Sequence, residues 1–381
     1  MHNHIYLDLS KAFDTLDHYI LLSKLSFYGI NGRALELIKS YLSDRFQFVM
    51  FEDIRSNLME IKCGVPQGSI LGPLLFIIYM NDLQFSSTQF NMVIYADDTA
   101  LCTTLNLDST NQNKLNAELK LINQWLQINK LSLNVSKTKA MLFHTPQRKV
   151  TYPTLKIDNH KIEFVSKFNY LGIIIDENLN WNVHIETLTK KISKTIGIIN
   201  KLKNQLPTET LLNIYNALVA SYLNYGIAVW GWKLEKLLKL KKKAVRAITR
   251  SAYTAHSSPL FKKLNILNVI DMRALCDLKF CYKYVKKQLP KYFYANDDEM
   301  ECTHEYFTRQ RDDLRLPAVN HDFAKQSITY HFPFTFNEMD DDYKTKFSTH
   351  TFEGFKFHVK RKFIESYEST CYERNCPRCG R

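Results

Sequence analysis

Short apolar runs and longer helical stripes alternate along the first half of the chain, and helical stripes dominate the second. Ile5-Tyr6-Leu7-Asp8-Leu9 is rich in strand formers, and Met92-Val93-Ile94-Tyr95 and Ala100-Leu101-Cys102 bracket a polar tip as a β-hairpin would. From Asp17 to Leu42 the apolar positions (Leu21, Leu22, Leu25, then Leu35, Ile38, Leu42) have helical spacing, and Gly29-Ile30-Asn31-Gly32 breaks them into two helices. Residues 46–62 alternate poorly and predict a hairpin, and Leu74 to Leu83 predicts an apolar helix. Asn111 to Asn129 reads as an amphipathic helix with Leu115, Leu119, Ile122, Trp125 and Leu126 inward. A β-unit follows around Ser136-Lys137-Thr138, from Leu131-Ser132-Leu133-Asn134 to Lys139-Ala140-Met141-Leu142-Phe143. Lys167 to Asp176 is a strand pair whose central Gly172 suggests close approach of another backbone. Glu186 to Asn204 carries Leu188, Ile192, Ile196, Ile199 and Leu202 on one face, Pro207-Thr208 opens a second helix through Tyr222, and a third carries Lys236 to Arg250. Phe280 to Tyr294 predicts one more helix.

Charge divides the chain more sharply than hydropathy does. With 381 residues, 45% hydrophobic and 23% charged, it has material for two or three folded domains. Residues 1–185 hold 17 basic against 17 acidic side chains, residues 186–250 hold 13 against 3, and residues 251–381 hold 21 against 18. A neutral block is therefore followed by one of net charge +10, a field suited to a polyanion such as nucleic acid. A solvated helical face is the plainer account of a lysine-rich segment. Eight cysteines, most of them scattered, make no disulfide framework, and Met1-His2-Asn3-His4-Ile5 has no secretory character. The longest apolar run, Leu74 to Met80, is too short to cross a bilayer. An intracellular, reducing location (cytoplasm, nucleus or both) and no membrane partner are expected.

The candidate chemistry starts at the hairpin tip. Adjacent aspartates Asp97 and Asp98, with Asp8 from a neighbouring strand, suit hard divalent cations. Two Mg2+ ions, with Mn2+ as a substitute, roughly 3.5–4 Å apart would serve in-line phosphoryl displacement. Taken alone, an Asp-Asp pair is an ordinary turn feature. Phe13 either stacks beneath a nucleotide sugar, crowding its 2′ position, or fills the core. Gly64-Val65-Pro66-Gln67-Gly68-Ser69-Ile70-Leu71-Gly72-Pro73 sets an unusual backbone ahead of a helix, favourable to phosphate or base contacts, and lacks the Gly-Lys-Ser/Thr of a Walker loop. Lys137 is either a proton donor near leaving pyrophosphate or a surface turn residue. His2 and His4 share a strand face and are expected in solvent. In the basic block, Lys190, Lys194, Lys242 and Arg246 are the expected nucleic-acid contacts. At the C-terminus, Cys371, Cys376 and Cys379, with His350 or His358, are a candidate Zn2+ set or simply a cysteine-rich tail.

These motifs occur in the order found in one family. With Leu7 to Asp14, Gly64 to Ser69 through Asn81-Asp82-Leu83, Tyr95 to Thr99, Asn134 to Thr138, and Tyr170-Leu171-Gly172-Ile173 with Asp176 and Leu179, the chain resembles the reverse transcriptases of jockey-type non-LTR retrotransposons. The resemblance implies an α+β fold. A palm, a small antiparallel sheet backed by helices, would span residues 1–185, a basic helical thumb 186–250, and a mixed region of unassigned role 251–381. It further implies an RNA-directed DNA polymerase taking an RNA template, a DNA primer and deoxynucleoside triphosphates. Asp8 and Asp97 would hold two Mg2+ ions with Asp98 assisting, and Phe13 would be the sugar gate. Gln67 and Gly68 would line the nucleotide and template pocket, Lys137 would approach the triphosphate, and Tyr170-Leu171-Gly172 would be the primer grip. The family places fingers before the first catalytic strand, so weak polymerisation by this polypeptide alone is expected. A non-catalytic nucleic-acid-binding remnant is the alternative. Group II intron reverse transcriptases share Tyr-Ala-Asp-Asp, but residues 170–181 and the tail favour the jockey type.

Overall fold

The computed structural model describes residues 2–66, 68–104, 109–148, 150–158, 160–294, 314–319 and 325–367. Two compact units divide the chain, one through Asn180 and the other from Trp181.

The first unit is built on a five-stranded sheet. Its strands are β1 (His2–Leu7), β2 (Asn91–Tyr95), β3 (Asp98–Thr103), β4 (Lys139–Phe143) and β5 (Glu163–Phe164), in the order β5-β4-β1-β3-β2. All neighbours are antiparallel except β5 and β4. β1 is central, and Ile5, Tyr6 and Leu7 are buried, so both of its faces are covered. On one face, Ile5 and Leu7 join a core with helices α1 (His18–Phe27), α2 (Arg33–Leu42), α3 (Leu71–Met80) and α4 (Ser109–Ile128), through Leu21, Leu25, Phe76, Leu115, Leu119 and Ile122. On the other, Tyr6, Ala100 and Met141 pack against a separate hairpin, β6 (Lys167–Tyr170) and β7 (Ile173–Asp176), through Phe168, Tyr170 and Ile175. Tyr6 stacks on Phe168 at 4.3 Å between ring centroids.

Local sequence accounts for most boundaries. Asp17 caps α1 by accepting from the Ile20 N–H at 3.0 Å, and Ser69 Oγ accepts from Gly72 N at the start of α3. Residues 46–60 form two short two-stranded ribbons rather than one hairpin (Phe46–Gln47 with Met59–Glu60, Met50–Phe51 with Ile54–Arg55). Gly172 has a conformational duty of its own. Tyr170 pairs with Ile173, so Leu171-Gly172 is a two-residue turn, and both residues have positive φ (48° and 78°). The glycine supplies the positive φ that the second position of such a turn demands. His2 is exposed as expected, whereas His4 is half-buried with its ring edge-on to Phe143 at 4.7 Å. Burial, with the His2 charge adding to it, lowers the His4 pKa to about 4.

The second unit is helical in its described residues. Helix α5 (Asn182–Leu202) buries Ile185, Leu188, Ile192, Ile196 and Ile199 along one stripe and packs on α7 (Glu235–Ile248), with α6 (Thr208–Tyr215) beside them. The chain leaves α6 through a π-helical segment, Asn216–Ala220. A second core surrounds α9 (Val269–Val285), which follows α8 (Ser257–Lys263). Leu278 and Tyr282 meet Phe332 of α10 (Ile328–Asn337), Phe347 of α11 (Asp341–Thr349), and Phe355 and Val359 of α12 (Phe352–Glu365).

Candidate active site

The aspartates are brought together by strand register. The last pair of β1 and β3 is Leu7 with Thr99, so Asp8, one residue further, falls level with Asp98. Tyr95 pairs with Asp98, leaving Ala96-Asp97 as a two-residue turn that places Asp97 at the tip. Ala96 holds φ at +52°, a conformation costing roughly 1 kcal/mol or more for a residue with a Cβ. Strain of this kind persists where the surroundings impose it, here one residue before the exposed Asp97 carboxylate. Burial raises the Asp98 pKa above the usual carboxylate value, and repulsion from Asp97 and then Asp8 raises it further. The three carboxylates therefore share one electrostatic site.

Asp8 is fastened from the β4 side. Its carbonyl accepts from Asn134 N at 2.8 Å, while its N–H lies 3.5 Å from Thr138 Oγ1. Asn134 Oδ1 in turn accepts from Ser136 Oγ and from Lys137 N. This Asx-type turn presents Lys137, whose Nζ is 3.7 Å from Asp8 Oδ2. Lys137 is mostly exposed, so the pair's contribution to stability is small and its position is the informative quantity. Asn134 and Thr138 belong to the site as supports, and the signal for them was the Asn-x-Ser-x-Thr spacing of that turn.

Tyr170, on the face of the sheet covered by the β6–β7 hairpin, is coupled to the site through Asp98. Burial raises its pKa, with Asp98 the next contributor. Its hydroxyl is buried without a hydrogen-bond partner among the described residues, and its ring is 5.2 Å from Tyr6. The Tyr170 side chain thus lies near enough to Asp98 to feel its charge.

Phe13 stacks on Phe76 of α3 at 4.5 Å and remains half-buried, so one face fills the core and the rest is accessible. The glycine-rich loop is bound to the same turn: Val65 N donates to Phe13 O at 2.9 Å and Gly64 N to Leu16 O at 2.7 Å. Gly64 has φ +83°, and a Cβ there would stand 2.7 Å from the Asp14 carbonyl oxygen, so the close approach requires glycine. Between this loop and the first ribbon opens a cleft of about 720 Å³ that includes Lys11, Arg45 and Lys62. Gly68, with φ +80°, lies in the loop, and Gln67 falls outside the described residues. Asp82 has a structural duty: it pairs with Lys24 at 2.7 Å, tying α1 to the end of α3.

Among the described residues, no three His, Cys, Asp or Glu side chains already stand as a metal cluster. The donor set nonetheless suits a hard divalent cation, since it offers carboxylate oxygens whose mutual repulsion a cation would relieve.

Residues 3–175 match the family described as reverse transcriptase (RNA-dependent DNA polymerase). The chain carries a reverse-transcriptase domain. It is 28% identical over 287 residues to the probable RNA-directed DNA polymerase from transposon BS of Drosophila melanogaster, covering 70% of this chain and 31% of that protein. It is 29% identical over 258 residues to the RNA-directed DNA polymerase from mobile element jockey of Drosophila funebris, covering 64% and 28%. The chain thus spans about a third of the length of the curated relatives it matches. Among solved structures, apo telomerase from Candida tropicalis aligns at TM-score 0.39 and 13% identity over 71% of this chain and 46% of that one.

The reverse-transcriptase domain holds every expected acidic residue, but the expected cations of the helical unit need correction. Lys190 and Lys194 are exposed on α5. Lys242 is only 4% exposed and Lys241 1%, so neither faces a phosphate backbone. The reason is spacing: Lys241 falls in the stripe of Leu237, Ala244, Val245 and Ile248, and Lys242 beside it. Arg246 is half-buried and donates through Nε to Ala255 O at 2.7 Å, which ties it to the loop after α7. Cys371, Cys376 and Cys379 lie outside the described residues. His358 pairs with Asp342 at 3.1 Å. Among the described residues, no helix is long and apolar enough to cross a membrane.

Proposed function

We propose that the reverse-transcriptase domain copies an RNA template by transferring deoxynucleotides to a DNA primer 3′-hydroxyl. The observation that carries this reading is the meeting of Asp8 with the Asp97-Asp98 tip, with Lys137 held against the same Asp8 carboxylate. Asp8 and Asp97 would hold two Mg2+ ions, or Mn2+, with Asp98 assisting. When bound, such ions supply charge stabilisation to the attacking and leaving oxygens. Lys137 reaches the triphosphate and donates a proton to departing pyrophosphate. Phe13, braced by Phe76, presents its free edge to the sugar and crowds a 2′-hydroxyl, favouring deoxynucleotides. Gln67 and Gly68 line the nucleotide and template pocket, and Tyr170-Leu171-Gly172 bear on the primer end.

In this reading the sheet unit is a palm and residues 186–250 are a thumb, whose exposed Lys190 and Lys194 follow a phosphate backbone without reading bases. Residues 251–381 receive no separate role. The polymerase works inside the cell, in the cytoplasm or nucleus, on RNA template and deoxynucleoside triphosphates. A second reading, a nucleic-acid-binding remnant, is favoured by the same exposed lysines, which need no catalysis to bind.

Primer extension separates the two. With Mg2+, an RNA template, a DNA primer and deoxynucleotides, the polymerase reading predicts incorporation, however slow, that Asp97→Asn abolishes. Salt-sensitive binding with no incorporation overturns it in favour of the remnant.

A further inference from the structure

Within the helical unit, a cavity of about 360 Å³ opens beside the π-helical turn. It is within the size range of small-ligand sites, and π-helical turns recur at functional positions. Two of its lining groups are buried polar atoms without a matching partner. Lys241 is 1% exposed, and among the described residues its amine meets the thioether of Met272 and, at 5.8 Å, the ring of Tyr215, with Asp271 acting on it by charge alone. A thioether is a weak acceptor and cannot neutralise a cation. Tyr215, also 1% exposed, has a buried hydroxyl with no hydrogen-bond partner among the described residues. Unpartnered buried groups of this kind are costly unless something fills the gap.

Three further cations line the same cavity, Lys279, Lys356 and Lys360. Lys356 is partly neutralised by Glu353 at 3.0 Å, and Lys279 lies 6.0 Å from the Phe352 ring. Burial pulls the Lys241 pKa down to about 7, opposed only by the charge of Asp271. The cavity is therefore electropositive, with a donor amine and a donor hydroxyl in its lining.

We propose that this cavity is a binding site for a phosphate group, its oxygens accepting from Lys241 Nζ and Tyr215 Oη while Lys279, Lys356 and Lys360 balance its charge. Lys279 and Lys360, with Lys241 protonated against the bound anion and Lys356 shared with Glu353, exceed what a monoanionic carboxylate needs and suit a di- or polyanion. The ligand is either a free phosphate or pyrophosphate ion or the terminal phosphate of a nucleotide strand. The site does not depend on the aspartates of the other unit, so it stands or falls apart from the polymerase reading.

The test is titration calorimetry and thermal shift on the full chain in EDTA, with phosphate, pyrophosphate, and a short oligonucleotide with and without a 5′-phosphate. Wild type and Asp97→Asn should both bind pyrophosphate and gain thermal stability with concentration. Lys241→Met keeps the side-chain length and removes the cation, so it should fold at least as stably while losing about tenfold or more in affinity. Lys360→Ala should weaken binding without touching the buried pair. Preference for the 5′-phosphorylated oligonucleotide over its unphosphorylated form marks a strand end as the source, and equal binding of free pyrophosphate marks a small anion. No binding at millimolar pyrophosphate, or equal binding by wild type and Lys241→Met, overturns the proposal.

Discussion

Asp98 is the residue on which the electrostatics of the site converge. Its pKa is raised by burial first, then by Asp97 and Asp8, so the folded chain holds a proton there more tightly than the unfolded chain does. Stability from this group is present at low pH and falls as pH rises from the ordinary aspartate range through the raised value. In EDTA, Asp98→Asn should therefore raise the melting temperature at pH 7 and flatten this fall, and parallel profiles for wild type and variant would refute the shared-charge account. The pairing of Asp97 with Asp98 was legible in the sequence because adjacency and bracketing apolar runs mark a hairpin tip. The seating of Asp8 by Asn134 and Thr138 was not, since those bonds join segments about 130 residues apart. Lys242 shows the opposite lesson. Its spacing from Leu238 and Val245 places it at the buried stripe, but a run of lysines reads as surface until the apolar positions on either side are counted.

Elements with strong periodicity emerged where the sequence pointed. The α5 stripe is buried at each expected position from Leu188 to Ile199, and the break at residues 29–32 separates α1 from α2. Short strands were harder, because two-residue ribbons such as Phe46–Gln47 carry too few side chains to show a period. At Gly172 a positive φ demanded by a turn and a close contact leave the same mark in sequence, and the structure shows the first. For α5, the polar face makes a quantitative claim. Lys190→Ala and Lys194→Ala should each weaken nucleic-acid binding uniformly across sequences and reduce the slope of log affinity against log salt by about 1. Unchanged slopes would remove α5 from the nucleic-acid interface. Lys242→Met, by contrast, should leave the slope alone.

At the scale of the molecule, charge marks three blocks where the structure has two compact units. The neutral stretch ends near residue 185, close to the structural boundary after Asn180. What composition could not show is that the described C-terminal helices share a compact unit with the basic block, because the link is the packing of α8 and α9 on α7. The reverse-transcriptase domain depends on a different long-range event, the pairing of β1 with a hairpin about 90 residues later. If that register makes one acidic site, its parts should fail together. Mn2+ binding, followed by the loss of the free-ion electron paramagnetic resonance signal, tests this without requiring activity. Wild type should bind Mn2+, and Asp8→Asn and Asp97→Asn should each lose that binding while remaining folded. An Asp8→Asn chain that binds Mn2+ like wild type would contradict the account.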